Sequence, residues 1–232
     1  MNLLLLEEKD FTSDGTALVT GRRCRQLHDV IRATPGKLCK AGLLGGKCGT
    51  AEILAIDENC CRLFFTPEKE PPAPAPLVLI AALPRPQTLC KVLHCAVSNG
   101  VKKICFIHTF KVEKSYWASP RLAPEAIRDE LLLALEQSGD TVLPEVLFFR
   151  TFKPFIEDHL DEVADGKRFL GDPAGEAASF AENSTLAVGP EGGFTDYEKQ
   201  AFFDRGFTGI SLGKRTLRTE FAVQGLISRL VR

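Results

Sequence analysis

The sequence predicts a small β-barrel followed by an α/β domain built on a largely parallel sheet. Three observations predict it. The segment Pro71-Pro72-Ala73-Pro74-Ala75-Pro76 places four prolines in six residues, which removes backbone donors and favours an extended spacer. The residues before it show little helical periodicity. The residues after it alternate short apolar runs with helical patterns, as repeated βαβ units do. We therefore divide the chain into 1–70, a linker at 71–76, and 77–232.

In the first part, Leu3 to Leu6, Leu38 to Leu44, Thr50 to Ile56 and Cys61 to Thr66 read as short strands separated by Gly and Asp turns. In the second, Leu77 to Leu83 is an apolar run suited to a buried strand. Gln87 to Asn99 is helical in pattern, with Gly100 placed to cap it. Ile104 to His108 is strand-like. Glu125 to Ser138 carries Ile127, Leu131, Leu132 and Leu135 at helical spacing and stops at Gly139. Short apolar runs follow at Val146 to Phe149, Phe169 to Leu170, Leu186 to Val188 and Ile210 to Leu212. Helices are expected between them at roughly 154–164, 196–205 and 220–231.

A chain of 232 residues has room for one or two domains and a substantial core without disulfides or metals. Its net charge of -1 gives no global reason to expect nucleic acid or a membrane as partner. No apolar run is long enough to span a bilayer. Met1 to Leu6 is apolar but runs into Glu7 and Glu8, so we expect no signal peptide. The eight cysteines include no C-x-x-C pair and no zinc-like spacing with histidine. Reduced, mostly buried thiols in a cytoplasmic protein without a metal site are expected.

Parallel sheets bind ligands beyond the carboxyl ends of their strands, so the loops after the strands are where chemistry should lie. Three stand out: Gly171-Asp172-Pro173-Ala174-Gly175, Gly189-Pro190-Glu191-Gly192-Gly193, and Gly213-Lys214-Arg215-Thr216-Leu217-Arg218. The second precedes Thr195-Asp196-Tyr197-Glu198, a capping box opening a helix. Its glycines permit close approach of a ligand to the backbone, although a plain tight turn would use them too. The third carries three cations ahead of Thr219, a candidate N-cap; a solvated basic turn is the competing reading. No two glycines are separated by a single residue, which excludes G-x-G-x-x-G. The run Gly209 to Arg215 is one residue short of a P-loop and lacks its Ser/Thr.

Between Arg22 and Lys40, six cations (Arg22, Arg23, Arg25, Arg32, Lys37, Lys40) face one acid, Asp29. That local excess of five suits phosphate contacts or a solvated basic surface. Tyr116 and Trp117 could stack a base or simply pack.

At Gly189-Pro190-Glu191-Gly192-Gly193-Phe194, and again at Leu212-Gly213-Lys214-Arg215-Thr216-Leu217-Arg218-Thr219-Glu220, the chain resembles the RsmE family, methyltransferases for N3 of a uridine in 16S ribosomal RNA. Val112-Glu113-Lys114-Ser115-Tyr116-Trp117, Glu136-Gln137 and Val30-Ile31-Arg32 with Gly36 extend the likeness along nearly the whole chain. The resemblance implies a PUA-like β-barrel, then a SPOUT methyltransferase domain with a C-terminal trefoil knot, acting in the cytoplasm as a homodimer on the small ribosomal subunit, with no membrane or metal. It implies that S-adenosylmethionine is held by Leu170, Gly171, Gly189, Pro190, Glu191, Gly192, Gly193, Leu212, Gly213 and Leu217. Arg218 would lie near the target base, with Glu191 and Glu220 as possible proton acceptors. Arg22, Arg23, Arg25, Arg32, Lys214 and Arg215 would contact RNA. Phe221 stands where the family usually has Thr, Asp172 where it commonly has His, and Gln26 where it has an N-terminal His. A SPOUT enzyme for another RNA, or a ribosome-binding relative with weakened activity, are the alternatives.

Overall fold

The computed structural model describes residues 2–231 and divides into two compact units. The first comprises residues up to Ala73 together with Leu132–Leu143; the second comprises Pro74–Leu131 and Pro144 onward.

The first unit holds a five-stranded sheet in the order β1-β3-β4-β5-β2, formed by β1 (Leu4–Leu6), β2 (Thr16–Thr20), β3 (Leu38–Leu43), β4 (Cys48–Ile56) and β5 (Cys60–Lys69). β1 runs parallel to β3, and the other pairings are antiparallel. The edge strands β1 and β2 do not pair with each other, so the small β-barrel expected is an open half-barrel. Alternation explains its core. Ala17 and Val19, Ala51 and Ile53, and Cys61, Leu63 and Phe65 point inward, while Leu18, Arg62 and Phe64 do not. β2 was missed in the sequence, although Ala17 and Val19 carry the inward alternation. It leads into α1 (Gly21–Arg25) and a π-helical turn at Gln26–Val30, which seat Cys24 and Leu27 in the same core.

The second unit is built on a six-stranded, wholly parallel sheet in the order β11-β9-β10-β6-β7-β8. Its strands are β6 (Leu77–Ala82), β7 (Lys103–Ile107), β8 (Glu145–Phe149), β9 (Lys167–Ala177), β10 (Ser184–Val188) and β11 (Thr208–Ser211). Every residue of β6 and β10 is buried, as the uninterrupted apolar run in β6 predicts for a strand covered on both faces. The helices are α2 (Pro86–Ser98), α3 (Pro124–Ser138, which from Leu132 onward belongs to the first unit), α4 (Phe152–Pro154) leading through a π-helical turn into α5 (Leu160–Val163), α6 (Asp196–Phe203) and α7 (Thr219–Leu230). Gly100 and Gly139 take left-handed φ of 78° just past α2 and α3, as their stop signals predict.

The strand order reverses beside β6. The chain steps outward through β7 and β8, then returns to place β10 on the other side of β6 and β9 beyond it. Such a switch point opens a crevice beyond the carboxyl ends of the strands. Among the described residues, no helix is long and apolar enough to cross a membrane.

Candidate functional site

A cleft of ≈ 340 Å³ opens beyond the carboxyl ends of β9, β10 and β11, on the β10 side of that switch point. Three segments wall it: Gly171–Pro173 of β9, the loop Gly189–Phe194 after β10, and Ser211–Leu217 between β11 and α7. The first segment was expected to be a loop and lies inside β9. Leu170 pairs with Gly209 and Glu176 with Ile210, so residues 171–175 have no partners on β11 and form a five-residue bulge. Gly175 is needed there because a Cβ would overlap the carbonyl of Gly209.

The glycine loop is fixed from several sides. The Gly193 N–H donates to the Pro190 carbonyl at 2.8 Å, and Gly193 takes a left-handed φ of 68°. The capping box forms as its spacing predicts. Thr195 Oγ1 accepts from the Glu198 N–H at 3.3 Å, and Glu198 Oε2 accepts from the Thr195 N–H at 2.8 Å. The other oxygen of buried Glu198 accepts from the Phe110 N–H at 2.6 Å. Lys111 Nζ donates to the Gly192 carbonyl at 2.7 Å, and Glu191 Oε1 accepts from the Arg85 N–H at 3.2 Å. Loops after β6 and β7 therefore hold the loop after β10.

Of the ten residues expected to hold a cofactor, nine line the cleft: Gly171, Gly189, Pro190, Glu191, Gly192, Gly193, Leu212, Gly213 and Leu217. Leu170 does not; it is fully buried in β9. Arg215 also lines it, whereas Lys214, Arg218 and Glu220 do not. Arg218 is exposed and takes the N-cap position of α7 that had been expected of Thr219; Thr219 is the first helical residue and faces the cleft. Glu220 is nearly buried, and Lys91 Nζ donates to it at 3.0 Å. Burial opposes its ionisation, but its own backbone N–H, Lys91 and the charge of Arg218 outweigh burial and hold the carboxyl below the usual range. A carboxylate so stabilised is a poor proton acceptor, which leaves Glu191 as the cleft carboxylate without a charged hydrogen-bonding partner among the described residues.

The sequence reading missed the ion pair between Asp172 and Lys199, 3.0 Å apart with both residues lining the cleft. Asp172 Oδ1 also accepts from the Ala174 N–H at 3.1 Å, which shapes the bulge. The spacing of 27 residues between the partners gave no local signal. Of the apolar walls, Val188 and Ile210 come from strands, Ala222 and Leu226 from α7, and Phe194 from the loop after β10.

The basic cluster of the first unit separates into two groups. Arg22 makes two 2.8 Å bonds to the Glu136 carboxylate, and Arg23 bonds Asp10 at 2.6 and 2.8 Å and the Leu5 carbonyl at 2.7 Å. Both are thus held by carboxylates of their own unit, Arg23 half-buried and Arg22 exposed. Arg25, Arg32, Lys37 and Lys40 are exposed. Burial pushes the Cys61 and Cys105 thiols up to about 12, so neither supplies a thiolate at neutral pH.

Residues 71–231 match the family model for an RNA methyltransferase domain. The ribosomal RNA small subunit methyltransferase E of Treponema pallidum is 32% identical, over 96% of this chain and 87% of its own length. The ribosomal RNA small subunit methyltransferase E 1 of Borreliella burgdorferi is 28% identical, over 96% and 94%. The crystal structure of the Neisseria gonorrhoeae ribosomal RNA small subunit methyltransferase E bound to S-adenosyl methionine superposes with a TM-score of 0.74, 23% identity and coverage of 98% and 95%. At that identity the likeness shows the fold. The family model, the Treponema relative and the converging loops agree that the chain belongs to the RNA methyltransferases, and among them to the RsmE family.

Proposed function

We propose that the cleft binds S-adenosylmethionine and that the protein methylates N3 of a uridine in 16S ribosomal RNA, in the small subunit and in the cytoplasm. The observation that carries this reading is the convergence of the β9 bulge, the glycine loop and the β11–α7 segment on one cleft in a chain of this family. The residues fit the cofactor. Val188, Ile210 and Leu226 offer apolar walls for a flat base, and the glycine loop exposes backbone polar groups where a Cβ on Gly189 would crowd Phe194. Asp172, Lys199 and Arg215 supply both signs of charge for an amino-acid moiety and ribose hydroxyls. When bound, the cofactor supplies an electrophilic methyl group on sulfur.

Uridine N3 must lose its proton as its lone pair forms the bond to carbon and the carbon–sulfur bond breaks. The base then carries negative charge over O2, N3 and O4. In this reading Arg218, between the cleft residues Leu217 and Thr219, stabilises that charge, and Glu191 accepts the proton. Exposed Arg25 and Arg32 support RNA contact by the half-barrel, which fits a PUA-like unit. We also propose the trefoil knot, supported by the path from β11 at the sheet edge across the cleft to α7, which packs on α2 and β10. The homodimer is supported by exposed Leu212, Leu217 and Phe221 around the cleft mouth.

The test is calorimetry with S-adenosylmethionine, NAD and ATP, paired with single-turnover methyl transfer to small-subunit RNA. Only S-adenosylmethionine should bind. Arg218→Ala should slow transfer by about a hundredfold, roughly 2.7 kcal/mol, with cofactor affinity changed only a few-fold. NAD binding without S-adenosylmethionine binding would refute the reading. A parallel fall of rate and affinity would make Arg218 a loop-ordering residue.

A further inference from the structure

A second cluster of cationic and aromatic side chains lies on the carboxyl edge of the same sheet, outside the cleft. Trp117, the only tryptophan in the chain, sits in the short 3-10 turn Lys114–Ala118. Its Nε1–H donates to His108 Nδ1 at 2.8 Å, which fixes the indole in its plane. The edge-on contact with Phe148 has ring centroids 6.3 Å apart at 77°, and Phe148 stacks on buried Phe106 at 5.6 Å. The Arg150 guanidinium carbon lies 5.1 Å from the centroid of the indole ring. Arg150 is exposed, and among the described residues no carboxylate is within ion-pair reach of it.

Folding gives this arrangement little reason to exist. An exposed cation–π pair contributes about 0.5–1 kcal/mol, comparable to the rotamer freedom the arginine gives up. A single-stranded nucleic acid gives it two uses. A base can stack on a guanidinium plane or an indole, and a phosphate can pair with the free positive charge.

The position suits the same purpose. His108 follows β7 and Arg150 follows β8, while the cleft lies beyond β9, β10 and β11. All six strands are parallel, so these ends share one edge of the sheet. β10, β6, β7 and β8 are successive neighbours, which puts the β8 end about 15 Å from the β10 end at the usual strand spacing. The segment between His108 and Trp117 is fastened to the glycine loop through Lys111 Nζ to the Gly192 carbonyl, and to the first turn of α6 through the Phe110 N–H to Glu198. Lys114, exposed and without a carboxylate partner among the described residues, adds a further cation to this segment.

We propose that Arg150 and Trp117 form a stacking platform for an unpaired base of the substrate RNA flanking the target nucleotide. The proposal rests on reading the cleft as an RNA methyltransferase site. It assigns Arg150 the base contact and a phosphate, and Trp117 the role of holding the guanidinium in place.

The single tryptophan makes the test direct. The full-length protein, saturated with S-adenosylhomocysteine, is titrated with an end-labelled single-stranded RNA of mixed sequence, while RNA anisotropy and Trp117 emission are recorded together. Trp117 emission should change along the same binding curve as the anisotropy. Arg150→Ala should weaken RNA binding about tenfold, and Arg150→Lys should recover little because an ammonium offers no plane to stack on. Trp117→Phe should weaken RNA binding by less than Arg150→Ala. Cofactor affinity measured by calorimetry should stay unchanged in all three, which also shows that they fold. RNA binding that leaves Trp117 emission unchanged, with Arg150→Ala within about twofold of the native protein, would overturn the platform and leave the cleft reading intact. A protein that binds cofactor but no RNA at all would overturn both.

Discussion

Glu220 occupies the first turn of α7 with its carboxylate against Lys91, where the favourable contacts outweigh the burial that opposes its charge. Its pKa is lowered on folding, so it stabilises the protein above the unfolded carboxyl pKa of about 4.3. That contribution is lost as pH falls through the lower folded value. Lys91 is more than half exposed, which screens the pair and limits its worth to about 1 kcal/mol. Urea denaturation should therefore show Glu220→Gln about 1 kcal/mol less stable than the native protein at pH 7, with the gap closing as pH drops below about 4. A gap unchanged by acid would mean that the carboxylate charge plays no part. The arginines of the first unit separate in a similar way. Arg23→Ala strands the buried Asp10 carboxylate and should cost ~3 kcal/mol of stability. Replacing Arg25 and Arg32 together should leave stability within about 0.5 kcal/mol and lower the salt dependence of RNA binding by about two phosphate contacts. An unchanged salt slope would remove those two residues from the RNA surface. The sequence showed a run of positive charge but not which members had carboxylates waiting. Glu136 lies 114 positions from Arg22, and no local pattern reports such a partner.

The bulge of β9 and the loop after β10 do different work, and their glycines should respond differently. Gly175 has the backbone of Gly209 where a side chain would go, so Gly175→Ala must push β9 and β11 apart. We expect it to destabilise the second unit by at least about 2 kcal/mol in urea melts. Gly193 has open space around it but a left-handed φ of 68°. Gly193→Ala should cost only about 1 kcal/mol of stability while weakening cofactor binding by more than its stability loss, because the glycine loop is reshaped. Equal losses of stability in the two variants would contradict this division. At this scale the sequence was informative. The glycines, the capping box at Thr195 and the stop signals at Gly100 and Gly139 all lie in local pattern. The continuation of β9 through Gly171–Gly175 was not legible, since a bulge is defined by pairing with a distant strand. That the small barrel is open was not legible for the same reason: alternation tells which face is buried, not which edges meet.

For the whole molecule, the alternation of strands and helices was visible in periodicity, whereas the grouping of Leu132–Leu143 with the first unit, and not with the expected 77–232 domain, was not. The strand order was not, because apolar runs carry no record of their neighbours. The cleft lies beyond β9, β10 and β11, beside the reversal of that order, so its residues were anticipated from motifs and its position from the rule that parallel sheets bind ligands beyond the carboxyl ends of their strands. Leu212, Leu217 and Phe221 are 37%, 44% and 61% exposed, a concentration of apolar surface beside the cleft. If they meet a second copy, sedimentation at micromolar concentration should give a homodimer with at least about 1,200 Å² buried, and Phe221→Asp should shift it toward monomer. A monomer in both cases would count against the shared interface.

The most direct measurement is nucleoside mass spectrometry of small-subunit RNA from a strain lacking this protein. The same RNA is measured again after its subunits are incubated with purified protein and S-adenosylmethionine. We predict that 3-methyluridine is missing from the deletion strain and restored by the native protein, while Arg218→Ala restores it slowly. Native levels of 3-methyluridine in the deletion strain, or a new methyl group on any other atom, would contradict the assigned reaction.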